Sequence, residues 1–209
     1  MSRERFAMAG AATLAGLILA DVDNPAVGAP AKNQATILVE AARARTRRAE
    51  IYDGAYRVLR YPLGDVPDDR GVCTDLIVRA YRALGIDLQV LVHEDMRAHF
   101  AQYPRSWGEQ TPDRNIDHRR VPNLRRFFER AGAEKPVTHR AEDYRAGDLV
   151  TWALPDKRTH IGIVSDRGVP GARRPRILHN IGQGPVEDDI LFRFPITGHY
   201  RFFPADARR

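Results

Sequence analysis

The 209-residue chain has one cysteine, Cys73, so no disulfide can form within it. Its longest apolar stretch, Phe6 to Ala20, is about 15 residues, short of the roughly 20 that a bilayer-spanning helix needs. There is no internal repeat, heptad run or low-complexity tract, which argues against a solenoid or a coiled coil. The formal charge is +6, and a basic chain favours anionic partners. Yet the arginines are spread along the whole sequence, with no basic run interleaved with aromatics and no nucleic-acid motif. Nucleic acid is therefore not expected as a partner. Zinc hydrolysis is disfavoured too. In "HEDMRAH" His93 and His99 are six apart, which separates them around a helix instead of placing them on one face as H-E-x-x-H does. No metal and no cofactor are expected.

What is present begins with a processing signal. A short charged stretch at Ser2 to Arg5 precedes the apolar run, and Ala29-Pro30-Ala31 offers a small-x-small cleavage site. That pattern reads as an export signal over residues 1–31, with a periplasmic or secreted product and no stable membrane span after cleavage. No cysteine follows the run closely, so no lipid anchor is indicated. Cleavage leaves 178 of the 209 residues, enough for one domain with a sizeable core, expected as a monomer. The removed segment holds Arg3 and Arg5 against Glu4, Asp21 and Asp23, so the remaining charge is +7. A basic exported protein is expected to meet an anionic envelope polymer.

Export makes the lone thiol informative, because structural cysteines in oxidising compartments come in pairs and a single one is kept for another chain or for reactivity. In "DDRGVCTDLIVRAYRALG" the residues Leu76, Ile77, Ala80, Tyr81 and Leu84 recur at helical spacing, and Gly85 supplies the stop. Cys73 is thus placed in the first turn of a helix over 73–84. There the free N–H groups and the positive dipole end favour a thiolate and can hold an oxyanion. The residues alone leave open a small buried side chain at a helix start.

Further helices are expected over 34–60, 90–102 and 122–131, the last with Pro122 in its first turn. Four short runs, "GDLVTWAL", "HIGIVSD", "RILHNIG" and "GHYRFFP", read as strands. Helices come first and an antiparallel sheet follows, an α+β arrangement. A thiol nucleophile needs a base that a third group orients. His160 opens the second strand run as candidate base. His179 shares a face with Ile177 and Ile181, as candidate orienting group or as a core histidine bonded to backbone; Asn180 beside it is the other candidate for the third role. The insert "NIDHRRVPN" gathers polar residues, and its Arg119 and Arg120 offer planar forks to substrate carboxylates. The other reading is a loop fixed by its own Asx turns and helix caps.

The order of "VCTD", "GDLV", "HIGIV" and "ILHN" resembles the NlpC-type cell-wall cysteine peptidases of the papain-like superfamily. "GDVPDDRGVCTD", "LVHEDM", "NIDHRRVPNL" and "HIGIV" are similar to a bacterial family carried as domain of unknown function 1287. The match runs from about residue 61 to 204. The resemblance implies a papain-like α+β fold, Cys73 as nucleophile, His160 as base and His179 as third residue. It also implies help at the oxyanion from Tyr61 in "YPLG", and a peptide amide in peptidoglycan as substrate. Asp75, His118, Arg119, Arg120 and Asn180 are the expected substrate contacts. Thr74 and Asp75 replace the small pair that follows the family cysteine, and the insert before "GDLV" is long, so the groove is expected to differ. Transfer to another acyl group and a non-catalytic envelope-binding module remain the alternatives.

Overall fold

The computed structural model describes residues 33–204; the export signal assigned to residues 1–31 lies outside them. Helix α1, Gln34–Arg45, starts at Asn33, whose side chain accepts the Thr36 N–H at 2.8 Å. The helix expected to reach residue 60 ends at Arg45. Beyond it Ile51–Tyr52 (β1) runs extended and pairs in parallel with Arg70–Gly71 (β2). The Ala- and Arg-rich composition hides this break, which a tertiary contact enforces. The Glu50 carboxylate is buried and held by Arg45 Nη2 at 2.5 Å and Arg79 Nη1 at 3.2 Å, and a buried carboxylate persists only when paired.

Helix α2, Cys73–Arg82, buries Leu76, Ile77, Ala80 and Tyr81 as its spacing requires, and Gly85 after it takes a left-handed φ of 76°. Helix α3, Leu88–His99, is capped by Asp87, and α4, Val121–Arg130, carries Pro122 in its first turn. Among the described residues no helix is long and apolar enough to cross a membrane.

Six antiparallel strands follow: β3 Glu134–Lys135, β4 Leu149–Ala153, β5 Thr159–Gly168, β6 Pro175–Asn180, β7 Pro185–Asp188 and β8 Ile196–Tyr200. They pair in the order β3-β8-β4-β5-β6-β7. The four strand runs read from the sequence are β4, β5, β6 and β8. The short edge strands β3 and β7 escape a pattern reading because "EK" and "PVED" are charged and brief. The fold is thus α+β, helices first and an antiparallel sheet after.

Both sheet faces are buried. Leu149, Ile161, Ile163 and Leu178 pack under the helices with Leu38, Leu76, Tyr81 and Phe128. Val150, Trp152, Val164 and Ile177 face the other way, into a smaller cluster with Tyr144, Ile190 and Leu191. By alternation His160 and His179 belong with Trp152 and Ile177, on the face away from α2.

Candidate active site

Cys73 lies against the start of β5, at the His160–Ile161 peptide, while by alternation the two imidazoles stand on the other face of the sheet. Cys73 opens α2 and belongs to the helix-side core. The N–H of Ile161, part of the His160–Ile161 peptide, favours negative charge on its sulfur, as do the N–H groups of Thr74 and Cys73 itself. Burial outweighs them: it is the largest influence, the Asp75 carboxylate adds to it, and the thiol is pushed up to about 11. The thiolate expected from the helix-start position is therefore not the resting form.

His160 lies on β5 and His179 on β6. His160 Nε2 sits 3.2 Å from His179 Nδ1, with the rings edge to face, centroids 5.1 Å apart and 84° between planes. Gly162 is the reason the strands allow this. A Cβ there would stand 2.6 Å from Ile177 Cγ2 and 3.1 Å from His179 Cβ, where only glycine fits without displacement. Trp152 backs His160 at 5.8 Å between ring centroids. Burial, then the His179 and Arg158 charges, depress His160 to about 3; burial also holds His179 down at about 4. Both rings are neutral at physiological pH. With Nε2 facing His179, Nδ1 is the His160 nitrogen that the pair leaves unengaged. If that Nε2 carries the hydrogen, His179 Nδ1 accepts it and His179 Nε2 bears the second N–H, which is buried without a partner among the described residues. No hydrogen bond joins the sulfur to either imidazole among the described residues, so the expected thiol–imidazole pair is not in contact.

Tyr61 is not at this site. Its hydroxyl donates to Glu94 Oε1 at 2.9 Å and its ring packs on His93. The tyrosine beside the sulfur is Tyr52 of β1, pushed up to about 12 by burial and by the neighbouring Cys73. A signal for it existed: "EIYDG" is a β-branched and aromatic pair followed by an Asp-Gly turn, a strand end that the overlong helix obscured.

The expected substrate contacts fare differently. Asp75 and Arg119 are a buried pair, Nε to Oδ1 at 2.8 Å and Nη2 to Oδ2 at 3.0 Å. Asp75 Oδ2 also accepts the Val72 N–H at 2.7 Å, and Arg119 donates to the Ala55 and Asp53 carbonyls. This clamp ties the start of α2 to the loop after β1, so both residues hold the site together instead of offering charge to a ligand. Substituting Asp75 with Asn strands a buried guanidinium and is expected to cost about 3–5 kcal/mol, read as a lower urea midpoint; a midpoint unchanged from the parent would show that the clamp is dispensable. His118 is 2% exposed and held down at about 3 by burial, with Arg119 adding to the shift. Asn180 is fully buried, donating to Glu50 Oε1 at 3.5 Å and accepting the Gly182 N–H; no hydrogen bond joins it to His160 among the described residues. Arg120 pairs with Glu109 and stacks over Trp107 at 4.3 Å.

A cleft of ≈ 460 Å³ opens at Cys73, lined by Tyr52, Tyr56, Trp107, Arg119, Arg120, Arg158 and Thr159 among others. Tyr56, Trp107 and Arg158 had no distinguishing sequence pattern. Among the described residues no cluster of three or more His, Cys, Asp or Glu side chains is placed to hold a metal ion.

Fold and site together define an α+β protein with a single thiol at a helix start, opening into a cleft, and a buried histidine pair on adjacent strands of its sheet. The chain belongs to the family described as "Domain of unknown function (DUF1287)", whose sequence profile matches residues 39–202. It is 48% identical over 166 residues to a protein of Escherichia coli (strain K12), "Uncharacterized protein YijF", across 79% of this chain and 80% of that one. A solved structure titled "Structure of NlpC1 from Trichomonas vaginalis" overlaps 82% of this chain and 45% of its own at TM-score 0.44 and 17% identity. The chain thus spans less than half of that protein's length, at an overlap too low to argue from.

Proposed function

We propose that the protein is an exported cysteine hydrolase of the NlpC type that cleaves a peptide amide in peptidoglycan. The observation that carries this reading is Cys73 at a helix start, its sulfur beside the His160–Ile161 peptide and His160 paired with His179. Because thiol and imidazole rest neutral, the proton passes from sulfur to His160 Nδ1 as sulfur attacks the carbonyl carbon. The oxyanion is held by backbone N–H at the start of α2 and by the Tyr52 hydroxyl. The C–N bond then breaks as His160 returns the proton to the departing amine. Water, deprotonated by His160, adds to the thioester; the C–S bond breaks and the thiol regains its proton. His179 holds His160 in the required tautomer. The export signal supports a periplasmic or secreted location, and the basic charge supports peptidoglycan or another anionic envelope polymer as partner of a monomer.

Digestion of purified sacculi by the protein and by its Cys73→Ala variant, with soluble products weighed by mass spectrometry, tests this. Fragments from the parent alone are expected, and their masses name the bond. The raised thiol favours one alternative, a non-catalytic envelope-binding module. That account requires no fragments and a Cys73 slow to alkylate; a fast thiol without fragments directs attention to transfer of another acyl group.

A further inference from the structure

We propose that Arg158 recognises a carboxylate that the substrate carries beside the scissile carbonyl, a reading that rests on Cys73 being the nucleophile. The two arginines that the sequence offers for this purpose are engaged elsewhere: Arg119 is buried against Asp75 and two carbonyls, and Arg120 is held between Glu109 and Trp107. Arg158 is the cleft cation that remains available. It ends the β4–β5 hairpin, where Lys157 takes a left-handed φ of 66° and the Leu154 N–H bonds the Arg158 carbonyl at 2.8 Å. That turn sets Arg158 two residues before His160, on the wall of the cleft that Cys73 opens.

Its side chain is 63% exposed and its ion-pair partner is Asp156, through Nε at 2.6 Å. The two Nη atoms have no hydrogen-bond partner among the described residues, so one edge of the guanidinium faces outward. Asp156 is itself 49% exposed. Such surface pairs contribute little and their screened charge leaves the arginine attractive to a second carboxylate. A planar fork of donors fits a carboxylate in two-point contact, which an ammonium does not reproduce. The charge of Arg158 also reaches the reacting groups, since Tyr52, Cys73 and His160 all lie within its electrostatic range. Arg158 and Cys73 line the same cleft, so an anion seated on the arginine shares that cleft with the sulfur. The expected substrates are acyl compounds with a free carboxylate a few bonds from the bond cut.

The test needs no knowledge of the substrate, because Cys73 is the only thiol in the chain. The probes are iodoacetate and iodoacetamide. Each is attacked by sulfur with loss of iodide, an S–C bond replacing the C–I bond and the thiol proton passing to buffer; they differ in carrying a carboxylate or a neutral amide. The ratio of the two alkylation rates is measured for the folded full chain and for Arg158→Gln, Arg158→Glu and Arg158→Lys, with melting curves to establish that each variant is folded. The ratio is expected to fall about tenfold in Arg158→Gln, further in Arg158→Glu, and less in Arg158→Lys. A ratio unchanged in folded Arg158→Gln and Arg158→Glu, whether the two rates hold or drop together, overturns the proposal, as does a parent thiol that takes neither reagent. Sacculus digestion separates this from the hydrolase reading. A shifted ratio without fragments keeps the anion site and removes the hydrolase; fragments with an unshifted ratio do the reverse.

Discussion

Replacing His160 with alanine is expected to lower amide turnover by about 10²- to 10⁴-fold, the usual worth of a positioned general base, while Cys73 still accepts iodoacetamide. The geometry explains why this residue and not another of the seven histidines. It lies at the start of β5, in the peptide whose N–H favours charge on the sulfur, and its Nε2 is engaged by His179 at 3.2 Å, so that the proposed mechanism takes the proton at Nδ1. His179→Ala is expected to slow turnover as well, by freeing the ring and its tautomer. His179→Gln, whose amide oxygen can accept the Nε2 hydrogen, should restore part of the loss. A merely structural His179 would show no such rescue. The measurement is kcat/KM for fragment release across the set; an alanine variant of His160 within a few-fold of the parent would remove it from the mechanism. Because His160 is held at about 3, its protonation should not set the acid limb of the rate profile above about pH 4.

Acid unfolding should set that limb instead. His118, His160 and His179 are buried and held at about 3, 3 and 4, against 6.5 in an unfolded chain. The folded protein keeps these rings neutral while the unfolded chain takes up protons as pH falls through 6.5. Their stabilising contribution is thus complete above pH 6.5 and is lost as pH falls toward the folded values. Each costs up to about 1.4 kcal/mol per pH unit. Asp117 works in the opposite sense. Burial raises it to about 6, so its contribution is present below the unfolded value and is lost as pH rises through 6. Between pH 4 and 6 it offsets one of the three histidines, leaving roughly 3 kcal/mol per pH unit. That is steep beside the 5–15 kcal/mol that typically separates folded from unfolded domains. The urea midpoint is expected to fall sharply from pH 7 to pH 5. An equal or higher midpoint at pH 5 would mean that the three rings are already protonated in the folded protein.

Parts of this site can be read along one line of sequence because they rest on local periodicity. Cys73 at a helix start follows from the spacing of Leu76, Ile77, Ala80 and Tyr81, and the strands bearing His160 and His179 follow from short β-branched runs between turn residues. The tyrosine does not follow. The resemblance points to Tyr61 in "YPLG", whereas the contact of Tyr52 with the sulfur depends on β1 pairing with β2 next to the cysteine. The polar insert likewise looks like a ligand surface until Arg119 is seen against Asp75, 44 residues away in sequence. A charged residue in a pattern carries no mark of whether its partner is a ligand or its own chain.

Spacing within about a dozen residues encodes the α+β class, the helix that presents the thiol, and the strands that carry the two histidines. That the thiol rests protonated, that Asp75 and Arg119 are a buried clamp, and that Tyr52 and Arg158 border the cleft depend on the assembled fold. Burial and ion pairing act between residues far apart in the chain, and it is the assembled core that sets the solvation and the partners of each group.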